Sequence, residues 1–397
     1  MAPKRLHILG GGFYQLPAIR TAQALGHEVL VTDMYEERPG YGLAQAHEVI
    51  DIVDMERTLE AARRHKVDGI LCDTTDVGVP TMAYVADELG LPGIGLEVAL
   101  NFTDKLRMRE RAAAAGVPGP AFRAVRSVEE LWRAAQEIGL PLVIKPTDSQ
   151  GSRGVQILRS ADEIEAAFEE TLRHSPQKVA IAEGFLRGTE VTVEGVCIDG
   201  QPYVVGISDK DHYAHRPEVA SRLTYPADLP PETMARIVEV NASVVRALGL
   251  NTGVTHAEYF VGDDVYLVEI AARGGGSHVY SHIVPYLAGV DVPRMYIEHA
   301  LGIPMTTPPD GTPRAANLAF FEFDLGRVKA VRGVDEAKAI PGVEVLLLNF
   351  EVGDELVAAQ EDRTRHGQAL VFGKTRAEVL AITQQVFDTV QVDVEPA

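Results

Sequence analysis

The chain has 397 residues, 46% apolar and 24% charged, which fits a globular protein of two or three domains rather than a single core. Its formal net charge of −20, with basic residues scattered, disfavours nucleic acid and anionic membranes as partners. A nucleotide site on so acidic a protein has to supply its own lysines, backbone amides and magnesium.

No apolar run approaches the roughly 18 residues of a membrane span, and Met1–Arg5 carries no signal-peptide core. Cys72 and Cys197 form no metal-type spacing, so a cytoplasmic protein without a disulfide framework is expected.

Residues 1–100 alternate short apolar runs with helical patterns. Strands are expected at Leu6–Leu9, Glu28–Thr32 and Gly69–Cys72, and helices at Leu16–Leu25 and Pro80–Leu89. That order predicts a parallel sheet covered on both faces. Gly10, Gly11 and Gly12 follow the first strand and Asp33 ends the next, the outline of a dinucleotide-binding fingerprint. The third glycine of that pattern falls on Gln15, which favours a glycine turn that admits a ligand or a neighbouring domain.

The middle segment has S-x-x-E helix starts at Ser127/Glu130 and Ser160/Glu163. Pro141–Lys145 reads as a short strand ending in a lysine, and Val155–Leu158 as its neighbour. The small, polar residues between them, Thr147 to Gly154, form a glycine-rich flap whose amides suit phosphate, with Lys145 aimed at the same charge. Val179–Leu186 is an apolar strand turning into a connector whose edge can read an adenine, and Glu190 suits a ribose hydroxyl. Ser208–Tyr225, with His212, His215 and Arg222, has the irregular polar character of a loop, either over a substrate or simply on the surface.

The richest stretch is Thr255–His278. Strands Val254–Val261 and Val265–Ile270 flank a turn at Asp263-Asp264, a hairpin pattern. A two-residue turn there puts Glu258 opposite Glu269. Like charges at that spacing repel, so the pair calls for a cation, and hard oxygens suit Mg²⁺; the bland alternative is a solvated hairpin face. Arg273 then precedes Gly274, Gly275 and Gly276, which combine a guanidinium with backbone open to an anion. Ser277 and His278 follow, and His278 and His282 lie one helical turn apart, a spacing that is either structural or metal-binding.

From about Pro313 the chain is strand-rich (Asn317–Phe323, Val343–Phe350, Ala369–Phe372) and closes with a helix from Arg376 to about Thr389. Gly373-Lys374-Thr375 imitates the end of a P-loop, but the leading glycine is Gln368, so Thr375 and Glu378 read as a helix cap.

Taken in this order, the lysine strand, glycine-rich flap, connector and glutamate hairpin resemble the ATP-grasp superfamily over nearly the whole chain. The resemblance implies an α/β ATP-grasp fold: a Rossmann-like parallel-sheet domain at 1–100, two ATP-clasping lobes at 101–310 and a C-terminal α+β subdomain at 311–397. It assigns Lys105 and Lys145 to phosphate, and Ser149, Gly151, Ser152 and Gly154 to the mobile loop. Glu183 with the Phe185 and Leu186 backbone takes the adenine, Glu190 the ribose, Glu258 and Glu269 magnesium, and Arg273 the acyl phosphate. Gly275, Gly276, Ser277, His278, His212 and Arg222 are candidates for substrate contact.

Many relatives carry asparagine two residues after the second metal glutamate, where this chain has Ala271. EIAARGGGSH looks closest to the branch near the L-amino-acid ligases. The implied reaction spends ATP to make an acyl phosphate from a carboxylate, which an amine then attacks, with ATP and Mg²⁺ as cofactors and a homodimer common for such folds. Alternatives are bicarbonate activation of the carboxylase or carbamoyl-phosphate type, an NAD-dependent oxidoreductase, and an ATP-binding regulator without turnover.

Overall fold

The computed structural model describes residues 2–149, 153–361 and 364–395, without the side chains of 217 and 218. The chain forms two compact units: Met1–Gly188, Val193–Val205 and Glu232–Asp310 make the first, and Thr189–Thr192, Gly206–Pro231 and Gly311–Ala397 the second.

The first unit opens with a parallel sheet of β1 (Arg5–Leu9), β2 (Glu28–Asp33), β3 (Ala46–Val49) and β4 (Gly69–Leu71) in the order β3-β2-β1-β4. Parallel neighbours need crossovers, supplied by α1 (Leu16–Ala24), α2 (Met55–His65) and α3 (Val79–Leu89). Their cover leaves Leu6, Ile8, Val29, Leu30, Ile70 and Leu71 buried. β4 begins at Gly69, where only glycine fits, because a Cβ there would lie 2.3 Å from the carbonyl oxygen of Ala300. That close approach lets the helix Val292–Ala300 pack against the strand.

Next come α4 (Leu96–Thr103) and α5 (Lys105–Ala114), the latter capped by Asp104, which accepts from Leu106 N at 2.8 Å and Arg107 N at 3.0 Å. An antiparallel sheet follows, with β5 (Phe122–Val125), β6 (Leu142–Pro146), β7 (Gln156–Leu158) and β8 (Ala180–Gly184) in the order β5-β8-β6-β7. The helices α6 (Val128–Ile138) and α7 (Ile164–Arg173) bury Leu131, Leu142, Ile144 and Phe168 against it. Both expected serine caps form: Ser127 accepts from Glu130 N at 3.2 Å, and Ser160 with Glu163 opens a 3-10 turn ahead of α7. β9 (Thr189–Ile198) and β10 (Gln201–Tyr213) each run from one unit into the other. α8 (Pro231–Leu248) leads into the antiparallel pair β12 (Gly253–Val261) and β13 (Val265–Ala271).

In the second unit, residues 208–225 correct the expectation of an irregular loop. They form an antiparallel ribbon of β10 with β11 (Arg216–Tyr225), aligned from Asp209↔Thr224 to Asp211↔Arg222. Register shifts on both sides of His212 account for the irregular polar pattern, because each shift breaks the two-residue alternation that identifies a strand. β11 pairs with β14 (Ala315–Phe320), which pairs with β18 (Gly367–Gly373), which pairs with β16 (Val343–Leu348), all antiparallel. α12 (Arg376–Thr389) packs on β14 and β18 and starts at Thr375, which accepts from Glu378 N at 3.2 Å. Gly373–Thr375 is therefore a helix start, as its spacing predicts. Among the described residues no helix is long and apolar enough to cross a membrane.

Candidate active site

β12 and β13 align Glu258 directly with Glu269. The route to that register differs from the expected one. The loop between the strands has three residues, since Val261 pairs with Val265, and continuing that count would put Val268 opposite Glu258. A register shift just before Glu258 takes Val268 out of the ladder and brings Glu269 into line. The burial pattern changes phase at the same point, with Val265, Leu267 and then Ile270 buried.

Two opposed carboxylates offer the hard oxygens that Mg²⁺ takes. Among the described residues no cluster of three or more His, Cys, Asp or Glu is arranged for a metal. That is the donor set expected where phosphate oxygens and water complete the shell. Ala271, which brings no donor, faces His256, whose Nδ1 lies 2.8 Å from Glu194 Oε1.

Cations converge on these carboxylates. Lys105, at the first turn of α5, places Nζ 2.9 Å from Glu269 Oε1 and 2.5 Å from the carbonyl of Ser149 at the entrance of the flap. Lys145, at the end of β6, holds Glu183 Oε2 at 2.8 Å, and Arg109 Nε holds Glu183 Oε1 at 2.6 Å. Arg109 and Glu183 are 3% and 5% exposed and Lys145 6%, so this is a buried ionic triad. Burial by itself would raise the Glu183 carboxyl, but Arg109 and Lys145 outweigh it and hold it down at about 2. Burial also lowers the Lys145 ammonium against the opposing pull of Glu183. Arg109 was not singled out in the sequence, although its position one turn after Lys105 puts both on one helix face.

Arg273 is held by an acid that no local sequence pattern singles out. Its Nε and Nη2 meet Asp76 Oδ1 and Oδ2 at 2.7 and 2.8 Å, and Nη1 donates to the Gly274 carbonyl at 2.8 Å. Burial disfavours both charges, yet the pairing raises the Arg273 guanidinium and lowers the Asp76 carboxyl. The glycine run is tied to the same loop of the parallel sheet, since Gly274 N donates to the Asp73 carbonyl at 2.8 Å. Buried Asp73 itself is pushed up to about 7.

Gly274 and Gly275 are required sterically: a Cβ would lie 2.1 Å from the Tyr280 ring at the first and 2.8 Å from Val279 at the second. Among the described residues, its two chain neighbours aside, no heavy atom stands within 4 Å of a Cβ at Gly276. Ser277 and His278 adopt left-handed backbone, φ 50° and 68°, a strained pair of the kind found at functional sites. A π-helical turn at Val279–Ile283 sets the His278 and His282 rings edge to face, centroids 4.9 Å apart, and Tyr14 stands 5.7 Å from His278. Burial holds His278 down at about 4, with His282 adding to the effect.

Of the remaining candidates, Gly151 and Ser152 lie outside the described residues. Gly154 has φ 75°, and its carbonyl accepts from Thr171 Oγ1 at 2.9 Å. Phe185 N reaches the Pro141 carbonyl at 3.4 Å, and Leu186 follows it beyond β8. In the second unit Glu190 lies 2.6 Å from Lys210 Nζ and 3.1 Å from His212 Nε2. Arg222 faces Asp211 in the ribbon, and its Nε is buried without a partner among the described residues. At the glycine turn after β1, Asp33 Oδ2 accepts from Gly11 N at 3.0 Å and pairs with Arg38 Nε at 3.0 Å. A dinucleotide fingerprint would leave that carboxylate to a ribose; here it is committed within the protein.

Comparison with known proteins agrees with this geometry. An ATP-grasp domain matches residues 138–281, and L-amino acid ligase C-terminal domain 2 matches residues 319–395, together more than half the chain. A formate-dependent phosphoribosylglycinamide formyltransferase of Chlorobaculum tepidum is 28% identical over 96% of each chain. An alanine–anticapsin ligase of Bacillus subtilis is 30% identical over 62% of this chain and 56% of its own length. The chain likewise spans 66% of the length of an uncharacterised Sinorhizobium fredii relative. The L-amino acid ligase of Bacillus licheniformis superposes with a TM-score of 0.82, covering 99% of both chains at 22% identity. By these matches residues 138–281 belong to the ATP-grasp domain family, and residues 319–395 to the L-amino acid ligase C-terminal domain 2 family.

Proposed function

We propose that this protein is an ATP-dependent carboxylate–amine ligase that joins a small carboxylic acid to an amino acid or similar amine. The observation that carries the reading is the Glu258–Glu269 pair, with Lys105 on Glu269 and the Lys145–Glu183–Arg109 triad in the same unit.

In this reading the part of residues 101–310 that lies in the first unit holds ATP, with Glu183 and the Phe185–Leu186 backbone toward adenine. Lys105, Lys145 and the flap amides from Ser149 to Gly154 neutralise and orient the phosphates. Mg²⁺, when bound at Glu258 and Glu269, supplies further charge neutralisation at the β- and γ-phosphates. Residues 1–100 and 311–397 flank this part of the chain in sequence.

A carboxylate oxygen attacks the γ-phosphorus and the bond to the bridging oxygen breaks, leaving ADP and an acyl phosphate. Asp76 takes Nε and one Nη2 hydrogen of Arg273 and the Gly274 carbonyl takes one Nη1 hydrogen, so the second hydrogens of Nη1 and Nη2 are the ones offered to the acyl phosphate. The amine then attacks the acyl carbon, phosphate leaves, and the ammonium formed loses its proton. The intermediate has to be kept from water that would hydrolyse it.

The likeness to a formate-dependent enzyme along 96% of both chains favours a second reading in which the carboxylate is a one-carbon acid. One experiment separates these: ADP and phosphate release with Mg²⁺-ATP against pooled amino acids and carboxylic acids, with formate and bicarbonate as separate arms. Release with amino acids and a product mass of two substrates less water supports the ligase. Release with formate or bicarbonate alone moves the assignment to one-carbon activation. Nucleotide binding without release in any arm means a regulator. In the active arm Glu269→Gln should abolish turnover in a folded protein, and full turnover would remove the metal assignment.

A further inference from the structure

We propose that Arg109 is a positioning residue that couples the nucleotide side of the site to the register of the glutamate hairpin. The inference rests on the ligase reading and adds a role for a side chain outside the reacting groups.

Two arms of one guanidinium make the link. Nε holds Glu183, which also holds Lys145, while Nη2 donates to the carbonyl of Val268 at 2.5 Å. Val268 is the residue displaced from the β12–β13 ladder. Without that displacement the uninterrupted count puts Glu269 opposite Ala257 and turns it to the other face of the hairpin. A bulge removes a residue's polar groups from the ladder, and each buried one then needs another partner. Arg109 is that partner for Val268. A planar, rigid guanidinium transmits displacement from one arm to the other, which a lysine with a single nitrogen does not.

Stability alone is a poor account of the arrangement. Arg109 is 3% exposed, and its Nη1 is buried without a partner among the described residues. A buried orphan donor costs free energy. A side chain needed only for packing or for neutralising Glu183 would avoid that cost.

The first test uses the wild-type chain. Hydrogen exchange of the amides in residues 256–271 is measured with ADP in EDTA and without it. Coupling predicts that ADP alone slows exchange around Val268 and Glu269. ADP that binds but leaves these amides unchanged overturns the inference and leaves the ligase reading intact. If ADP does not bind at all, the ligase reading itself falls.

The second test is Arg109→Lys, which keeps a charge for Glu183 and loses the arm to Val268, with Arg109→Met as the stronger perturbation. For Arg109→Lys, ADP affinity in EDTA should stay near wild type. The Mg²⁺ concentration at half-maximal ADP-dependent binding heat should rise about tenfold or more, the range seen when groups behind metal ligands are removed. Hairpin exchange should quicken with no metal present. A purely structural role predicts a lower melting temperature with an unchanged Mg²⁺ midpoint, and that result would sink the proposal.

Discussion

Glu183→Gln removes one negative charge and almost no volume, and it leaves Arg109 and Lys145 buried together without an anion. Breaking one partner out of a buried ion pair costs about 3–5 kcal/mol. The depressed Glu183 carboxyl agrees in sign, because Arg109 and Lys145 favour its charged form in the folded protein. Against total stabilities of about 5–15 kcal/mol for folded domains, that is a large loss.

The sign follows from the depression. The contribution is fully present above the unfolded pKa and is lost as pH falls from about 4.5 toward about 2, because protonated glutamic acid is the electrical equivalent of glutamine. Guanidinium chloride unfolding followed by circular dichroism should therefore show a drop of about 3 kcal/mol at pH 7.5 that narrows by pH 3.5. ADP should stabilise the variant more than the wild type, since in the proposed reading its phosphates return negative charge to the uncompensated Lys145 ammonium. A drop below about 1 kcal/mol at pH 7.5, or one that does not narrow in acid, would refute the argument.

Lys145→Met removes a charge-assisted contact to phosphate, so ATP affinity by calorimetry should fall about tenfold to a hundredfold. Its stability loss should be smaller than that of Glu183→Gln, because Arg109 still balances Glu183. Asp73 acts in the opposite sense: its carboxyl, raised to about 7 by burial, favours folding below an ordinary pKa of 3.8, and that favour is lost as pH rises through about 7. Asp73→Asn should flatten the decline in melting temperature between about pH 4 and pH 7, and an unchanged slope would show that Asp73 does not titrate there. Asp393→Asn, at an exposed pair with Arg332, should leave the unfolding midpoint where it was.

The alternation of short apolar strands with amphipathic helices made the parallel sheet legible in the sequence, and the last helix was visible to the residue because Thr375 and Glu378 cap it. The facing of Glu258 and Glu269 was legible too, but for an incomplete reason. The turn has one residue more than its sequence implies and the strand one more than a regular ladder holds, and the two departures cancel. No local pattern announces such a bulge, because what accommodates it is Arg109, 159 residues away. Asp76 escaped notice for the same reason, since its partner is 197 residues distant. Residues 208–225 read as a loop because bulges in the ribbon disrupt alternation, which is the signal a strand is read from.

The bidentate grip of Asp76 on Arg273, with the Asp73 carbonyl on Gly274, has a bearing on how this chain tolerates recombination. An exchange of the first hundred residues for those of a relative would cross this clamp. A graft without an acid at the position of Asp76 would strand a buried guanidinium, however well its helices packed. Successful hybrids should be those that inherit residues 73–76 together with the arginine–glycine loop, which makes the short segment after β4 a unit of inheritance with a loop 197 residues further on.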